Sequence, residues 1–302
     1  MSNQPGWIGI DLGGTSIKAG RTDSSGDSRV RRQIETQVNE GGPSVMLRIA
    51  NLAREFGQVD SLGIGVPGLV DSERGLVTHS PNLAPMEGYP LRLELARELG
   101  IAESSVQLEN DACVAALGEH WVGAARGLEN VLMVTLGTGI GGGLILGGEL
   151  FRGSTGRAAE IGHITVEPGG RKCGCGNLGC LEALASARSA SSRAASAGLP
   201  RDLEKLADRA RAGDSACQSF LNGIGLDLGR GLGAILMLLD LDAFLVGGGF
   251  GAALDLMKSG VEDGILERSY GRQREELRIL PAELGPDAGW IGAARLGANA
   301  SA

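Results

Sequence analysis

Two stretches of this chain repeat one local plan. Residues 7–21 read WIGID, LGGT, SIKAGR, and residues 131–150 read VLMVTLG, TGIGGG, LILGGEL. Each is an apolar run of strand character, a glycine turn and a second such run. Their recurrence about 120 residues apart predicts two lobes of related topology. The remaining pattern fits that frame. A polar turn, TDSSGDS, leads to a strand near Val30–Thr36, and a helix follows near Pro43–Phe56. Strand SLGIGV, a long loop, helix LRLELARELG and strand VQLE come next. A helix opens at Asn110–Asp111, with Val114, Leu117, Trp121 and Val122 at helical spacing. Ala183–Ala197 reads as a surface helix, because alanine favours helix. From Leu203 the pattern is helical up to strand AFLVGGG. A helix near Ala252–Lys258, strand LRILPA and a last helix at Trp290–Leu296 close the chain.

The glycine count, 51 of 302 residues, is more than twice the usual share of about 7%. Much of it sits in tight clusters, which marks backbone turns and not a flexible linker. The net charge is −8 and no basic stripe stands out, which argues against a nucleic-acid partner. The N-terminus has no charged n-region followed by a long apolar core. The most apolar run, Ala234–Leu241, is too short to span a bilayer, so the cytoplasm is expected. There, close-set cysteines are metal ligands or redox groups more often than disulfides.

Three stretches match G-x-G-x-x-G, at Gly63–Gly68, Gly137–Gly142 and, less cleanly, Gly247–Gly251. A dinucleotide fingerprint needs strand, loop and then helix. Gly137–Gly142 leads into a strand and Gly63–Gly68 contains Pro67, so neither fits. A different phosphate chemistry fits better. DLGGT sets Asp11 at a strand end beside Gly13, Gly14 and Thr15, where backbone N–H groups and a hydroxyl can face phosphate oxygens. Asp11 cannot bind phosphate directly but can hold the water shell of Mg²⁺. TLGTG offers a second such turn, with Thr135, Gly137, Thr138 and Gly139. Two matched loops could clamp a triphosphate; the plain alternative for either alone is a glycine-rich β-turn.

Taken in order, DLGGTSIK, GIGVPG, SPNL, LENDA, TLGTGIGGG, AAEIGH, CGCGNLGCLE, VGGG and GWIGAA resemble the ROK family of sugar kinases, above all its bacterial glucokinases. The resemblance runs from Gly9 to Arg295. It implies a two-lobed α/β, actin-like (ribonuclease H-like) ATPase fold with ATP and sugar in an interlobe cleft. The expected division is a small lobe of residues 1–111, completed by a helix at 290–302, and a large lobe of residues 112–289. The expected reaction is ATP-dependent phosphorylation of glucose at O6; N-acetylmannosamine, N-acetylglucosamine or fructose remain open as acceptors. Repressors of the same family carry a winged helix-turn-helix ahead of the kinase-like region; with Asp11 so early in the sequence, an enzyme is expected here and not such a repressor. Family members are commonly homodimers or homotetramers.

The resemblance also distributes roles. His163 lies ten residues before Cys173, and with Cys175 and Cys180 it makes one imidazole and three thiolates. Spacing and resemblance together imply a structural zinc held by the loop 163–180, with Gly174, Gly176 and Gly179 letting the backbone fold round it. A redox pair is the alternative, but would usually read C-x-x-C. Residues matching Glu160, His163 and Glu182 contact the sugar in the family, so fixing the metal would fix both carboxylates; helix-terminal placement is the plain reading of Glu182. The resemblance makes Asp111 the general base that takes the sugar hydroxyl proton. Asn110 and Asn82 match sugar contacts, although Asn110 or Asp111 can equally be the N-cap of the helix beyond. Lys18 belongs to the first phosphate loop, and Gly247, Gly248 and Gly249 to the adenine floor. Three departures stand out. Cys113 replaces a second asparagine, Ala159 replaces a glycine ahead of Glu160, and a tryptophan after SPNL is absent.

Overall fold

The computed structural model describes residues 7–26 and 28–298. In chain order the elements are β1 (Trp7–Leu12), β2 (Ser16–Thr22), β3 (Ser28–Glu35), α1 (Gly42–Arg54), β4 (Leu62–Val66), β5 (Leu69–Asp71), β6 (Leu76–His79), α2 (Leu91–Leu99), β7 (Val106–Asn110) and α3 (Asp111–Val122). There follow β8 (Val131–Leu136), β9 (Ile140–Leu146), β10 (Glu149–Leu150), α4 (Leu181–Ala185), α5 (Ala187–Ser196), α6 (Leu203–Arg211) and α7 (Ser215–Leu239). The last are β11 (Ala243–Gly247), α8 (Leu254–Arg268), β12 (Ile279–Pro281) and α9 (Ala288–Ala298).

One five-stranded sheet has the order β3-β2-β1-β4-β7, the other β10-β9-β8-β11-β12. In both, a hairpin across a glycine turn leads and parallel strands follow. β1 pairs antiparallel with β2 and parallel with β4, while β8 pairs parallel with β11. The repeat in the sequence is thus a repeat of sheet topology. What reads as a long loop after Val66 holds a small hairpin, β5 with β6. Its strands are too short to show alternation.

The chain divides into two compact units. The first comprises Met1–Gly127, Gly143–Ala158 and Glu283–Ala302; the second comprises Leu128–Gly142 and Ala159–Ala282. The division does not fall between residues 111 and 112, because α3 stays with the first unit. The reason is α9, which packs there against α3, β1 and β4. A Cβ on Gly9 or Gly63 would overlap the α9 carbonyls of Trp290 or Ala293, so helix and sheet meet backbone to backbone. Trp290 is fully buried against β2.

In the second unit, α7 runs for 25 residues and is apolar enough by length and composition to cross a membrane, with a mean hydropathy of 1.2 in its most apolar window. Half of that window is buried in the protein. Gly225, Gly229 and Gly233 recur at four-residue spacing along it, and a Cβ on Gly229 would overlap the Val261 carbonyl of α8. The helix is therefore apolar because it packs closely on α8.

Candidate active site

In the first unit, β1, β4 and β7 are parallel and end at one edge. Asp11 lies opposite Gly65, Gly65 opposite Glu109, and Val66 opposite Asn110. Asp111 then opens α3. Asp11 and Asp111 therefore share the carboxyl edge of the three parallel strands β1, β4 and β7, where α/β folds place ligands.

Burial pushes the Asp11 carboxyl above the usual aspartate range, and Lys18 opposes the shift. Lys18 faces Asp11 across the hairpin, with Nζ 3.5 Å from Oδ2, and also reaches the Pro286 carbonyl at 3.4 Å. A lysine expected to serve the nucleotide is thus already paired with the carboxylate beside it. The turn is held from both sides. Gly13 N–H donates to Ser16 O at 2.9 Å, and Gly13 O accepts from Thr36 Oγ1 at 2.5 Å. Thr15 is exposed at its tip. Gly14 sits on Asn82: a Cβ there would lie 2.8 Å from the Asn82 carbonyl oxygen. Asn82 is thereby brought to the first loop, with its side chain exposed.

Asn110 is the N-cap of α3. Its Oδ1 accepts from Ala112 N at 2.8 Å and Cys113 N at 3.2 Å, and its Nδ2 donates to Gly68 O at 2.9 Å. That leaves the amide one N–H for a ligand. Asp111 is half-buried, and its Oδ1 accepts from Ala112 N at 2.8 Å. Behind this pair lies a residue that sequence reading passed over. The buried Glu109 carboxylate accepts from Asn110 N at 2.9 Å and from Arg152 Nε at 2.6 Å. An acid within the apolar pattern of VQLEN was the available signal, since a buried charge needs a partner.

Glu119 was also missed. It is 0% exposed on α3 and accepts from Ala124 N (2.9 Å), Glu283 N (3.2 Å) and Leu284 N (2.8 Å). The segment it holds carries Pro286, which receives Lys18, and Gly289, where a Cβ would lie 2.9 Å from Asp11 Cγ. Glu119 thus fixes the wall behind Asp11. Its spacing from Ala112 and Ala116 places it on the buried face of α3, which the sequence does reveal.

In the second unit, Thr135 on β8 lies opposite Gly247 on β11. Gly248 has φ +83°, and a Cβ there would overlap the Leu136 carbonyl. The turn after β8 and the late glycine run are therefore neighbours. Gly137 N–H closes the loop onto Gly139 O at 3.0 Å, leaving Thr138 exposed. Ala187 N–H, at the start of α5, donates to Gly137 O at 2.9 Å.

His163, Cys173, Cys175 and Cys180 each offer a ligand atom, all within 4.8 Å of one another. Cys175 Sγ is 3.7 Å from Cys180 Sγ, and Cys173 Sγ is 3.7 Å from His163 Nδ1. Thiolates at about 2.3 Å from a tetrahedral ion would stand about 3.8 Å apart, so the donor set fits such an ion in type and spacing. Backbone bonds preset the knot: Cys173 N to Asn177 O at 2.8 Å, Gly179 N to Arg171 O at 2.7 Å and Val166 N to Gly179 O at 2.8 Å. Gly176 and Gly179 take φ of +98° and +73°, the left-handed region that favours glycine. Burial pushes the Cys173 thiol up and that of Cys180 up to about 12, while the Asn177 backbone amide draws Cys175 down. A bound cation would hold all three as thiolates.

The two flanking carboxylates meet this knot. Glu182 Oε2 accepts from Ile140 N at 3.1 Å, and Oε1 lies 3.8 Å from Cys173 Sγ. One side chain thereby joins the end of the Gly137–Gly139 turn to the Cys/His cluster. The protein packed around Glu160 raises its pKa; His163 opposes this and the charge of Glu182 adds to it. Ala159, just before it, has φ +63°, in the left-handed region that favours glycine.

Comparison with known proteins agrees with this construction. A glucokinase of Thermotoga maritima is 34% identical, aligned over 96% of this chain and 96% of its own length. The crystal structure of a ROK family glucokinase from Streptomyces griseus, in complex with glucose and AMPPNP, is 33% identical and matches with a TM-score of 0.81, covering 98% of this chain and 100% of its own. The ROK hexokinase of Thermus thermophilus is 34% identical and matches at 0.82, covering 96% of this chain and 97% of its own. The fold is the two-lobed actin-like fold of those enzymes. The ROK family model itself matches residues 7–300, and the chain belongs to the ROK family.

Proposed function

We propose that the protein is an ATP-dependent hexose kinase that phosphorylates glucose at O6, with Asp111 as general base. The observation that carries the reading is the shared sheet edge, which sets a carboxylate suited to hydrated Mg²⁺ (Asp11) near one suited to proton abstraction (Asp111). Asp111 takes the proton from the sugar hydroxyl as its oxygen attacks the γ-phosphorus and the bond to the β-phosphate breaks. Asn110 holds Asp111 at the helix start and spends its remaining amide N–H on the sugar. Glu160 and Glu182 accept from the other hydroxyls, the Nε2 of His163 serves a further one, and Asn82 is an additional sugar contact. The hairpin turns at Gly13–Thr15 and Gly137–Gly139, with Thr135 and Thr138, take the phosphates, and Gly247–Gly249 leave room for a flat base.

Zinc is the ion for which His163, Cys173, Cys175 and Cys180 are suited, and its contribution is rigidity. All four positions are filled by protein, so it fixes Glu160 and Glu182 without touching the reacting atoms. The test is Asp111→Asn. It should leave the KM for glucose within a small factor and lower kcat by about 10³-fold. Near-normal turnover would remove Asp111 from its role. A panel of glucose, mannose, fructose and the two N-acetyl sugars with Mg-ATP tests the acceptor; preference for an N-acetyl sugar would overturn the glucose assignment.

A further inference from the structure

Asp111 is held through its neighbour. The Ala112 N–H is shared between Asn110 Oδ1 and Asp111 Oδ1, each at 2.8 Å. A shift of Asn110 therefore changes the grip on Asp111. Asn110 is fixed in turn by its side chain and by its backbone. The side chain caps α3 and donates to Gly68 O. The backbone N–H, in the peptide that joins β7 to α3, donates to Glu109 Oε1 at 2.9 Å. The aim of Asp111 thus depends on where a buried carboxylate points.

A carboxylate buried without a partner turns to whatever donor or water it can reach. Glu109 is kept from doing so by a cation. Its Oε2 accepts from Arg152 Nε at 2.6 Å, with Ser72 Oγ the next donor at 3.5 Å. The two oxygens divide the work: Oε2 takes the guanidinium and Oε1 takes Asn110 N–H. Arg152 is itself placed by a closed loop. Its carbonyl accepts from Ala158 N at 3.2 Å, and Gly153 and Gly156 turn between them with φ of +68° and +71°. Loop, β7 and the start of α3 all belong to the first unit. Stability alone does not call for this pair, since apolar side chains of similar volume often hold a buried site as well or better. What an ion pair adds is direction, because both of its hydrogen bonds must be aimed.

We propose that Glu109 and Arg152 are positioning residues for the catalytic base. Arg152 keeps the Glu109 carboxylate on Asn110 N–H, and the peptide so fixed aims Asp111 at the attacking hydroxyl. The inference rests on the kinase reading above, with Asp111 as general base. Both residues act through Asp111, and neither takes the proton itself.

The experiment measures kcat, the KM for glucose and for Mg-ATP, and the melting temperature in R152Q, in E109Q/R152Q, and in D111N with and without R152Q. R152Q strands the buried carboxylate and frees Asn110 N–H. Its kcat should fall about tenfold or more while both KM values stay within about threefold. In E109Q/R152Q an amide oxygen still accepts from Asn110 N–H and no charge is stranded, so kcat should return to within about threefold of wild type. In the D111N background R152Q should cost nothing further, because the base that it aims is gone. A lower melting temperature with wild-type kcat in R152Q would make the pair structural only and overturn the proposal. So would a loss that falls on KM and not on kcat, which would make Arg152 a substrate contact. A tenfold loss that persists in E109Q/R152Q, or that recurs in the D111N background, overturns the proposed route through Asp111. Near-normal turnover in D111N alone is the separate result that brings down the base assignment, and this inference with it.

Discussion

Ala159 stands where a left-handed backbone is required, and replacing it should stabilise the protein. Its φ is +63°, and its carbonyl oxygen accepts from Ile161 N at 2.7 Å. The same carbonyl packs so closely on Gly142 that a Cβ there would overlap it. The peptide has little freedom to turn away. An L-residue in this conformation costs roughly 1–2 kcal/mol. Ala159→Gly removes that cost but restores the conformational freedom of glycine to the unfolded chain, worth about 0.5–1 kcal/mol. The net gain is about 0.5–1 kcal/mol, or about 1–3 °C in melting temperature for a protein of this size. Thermal melts of zinc-loaded wild type and variant measure it. Glu160 is the next residue, so the KM for glucose should rise by no more than about threefold as the loop loosens. A melting temperature that stays put or falls would show that Ala159 carries no strain, and the reading of this loop would be wrong.

Cys180→Ser should abolish zinc retention, read by metal analysis after desalting. It should also raise the sugar KM, because the free energy of a structural zinc site, about 10–16 kcal/mol, is what holds such a loop together. Retained zinc with a wild-type KM would refute the assignment. Asp11 gives a pH dependence. Its folded pKa is raised, so its ionisation weakens the unliganded fold as pH climbs from the ordinary aspartate range through the raised value. Mg-ATP needs the ionised form, so kcat/KM for Mg-ATP should fall as pH drops through that same window. Lys18→Met removes the charge that opposes the shift and should move this acid limb to higher pH; a limb that stays put or moves lower would exclude the pairing.

The sequence exposes those parts of the molecule that depend on residue type at fixed spacing. The duplicated hairpins are visible because glycine turns interrupt apolar runs. The metal-ligand set is visible because three thiols and an imidazole crowd one loop. Ala159 stands out in the sequence as a departure, but only its φ shows that the backbone there is left-handed. Glu109 and Glu119 were harder, because each is recognised by its partners. Arg152 lies 43 residues from Glu109, and Leu284 lies 165 residues from Glu119. The unit boundary was obscured for the same reason. α3 follows the first sheet directly, yet its place is decided by α9, at the far end of the chain.

That last arrangement bears on how the protein is made. The helix that covers the glycines of β1 and β4 is the last described element to be synthesised, after the whole of the second unit. At about 5–20 residues per second, β1 waits roughly 15–60 s for Trp290 and Ala293 to emerge. During that time the face of β1 and β4 that α9 will fill lacks that cover, and its narrow glycine track fits little but a helix of small residues. The nascent chain is then a natural client for chaperones. A ribosome that stalls before residue 288 would release a first unit unable to finish itself, whatever the state of the second.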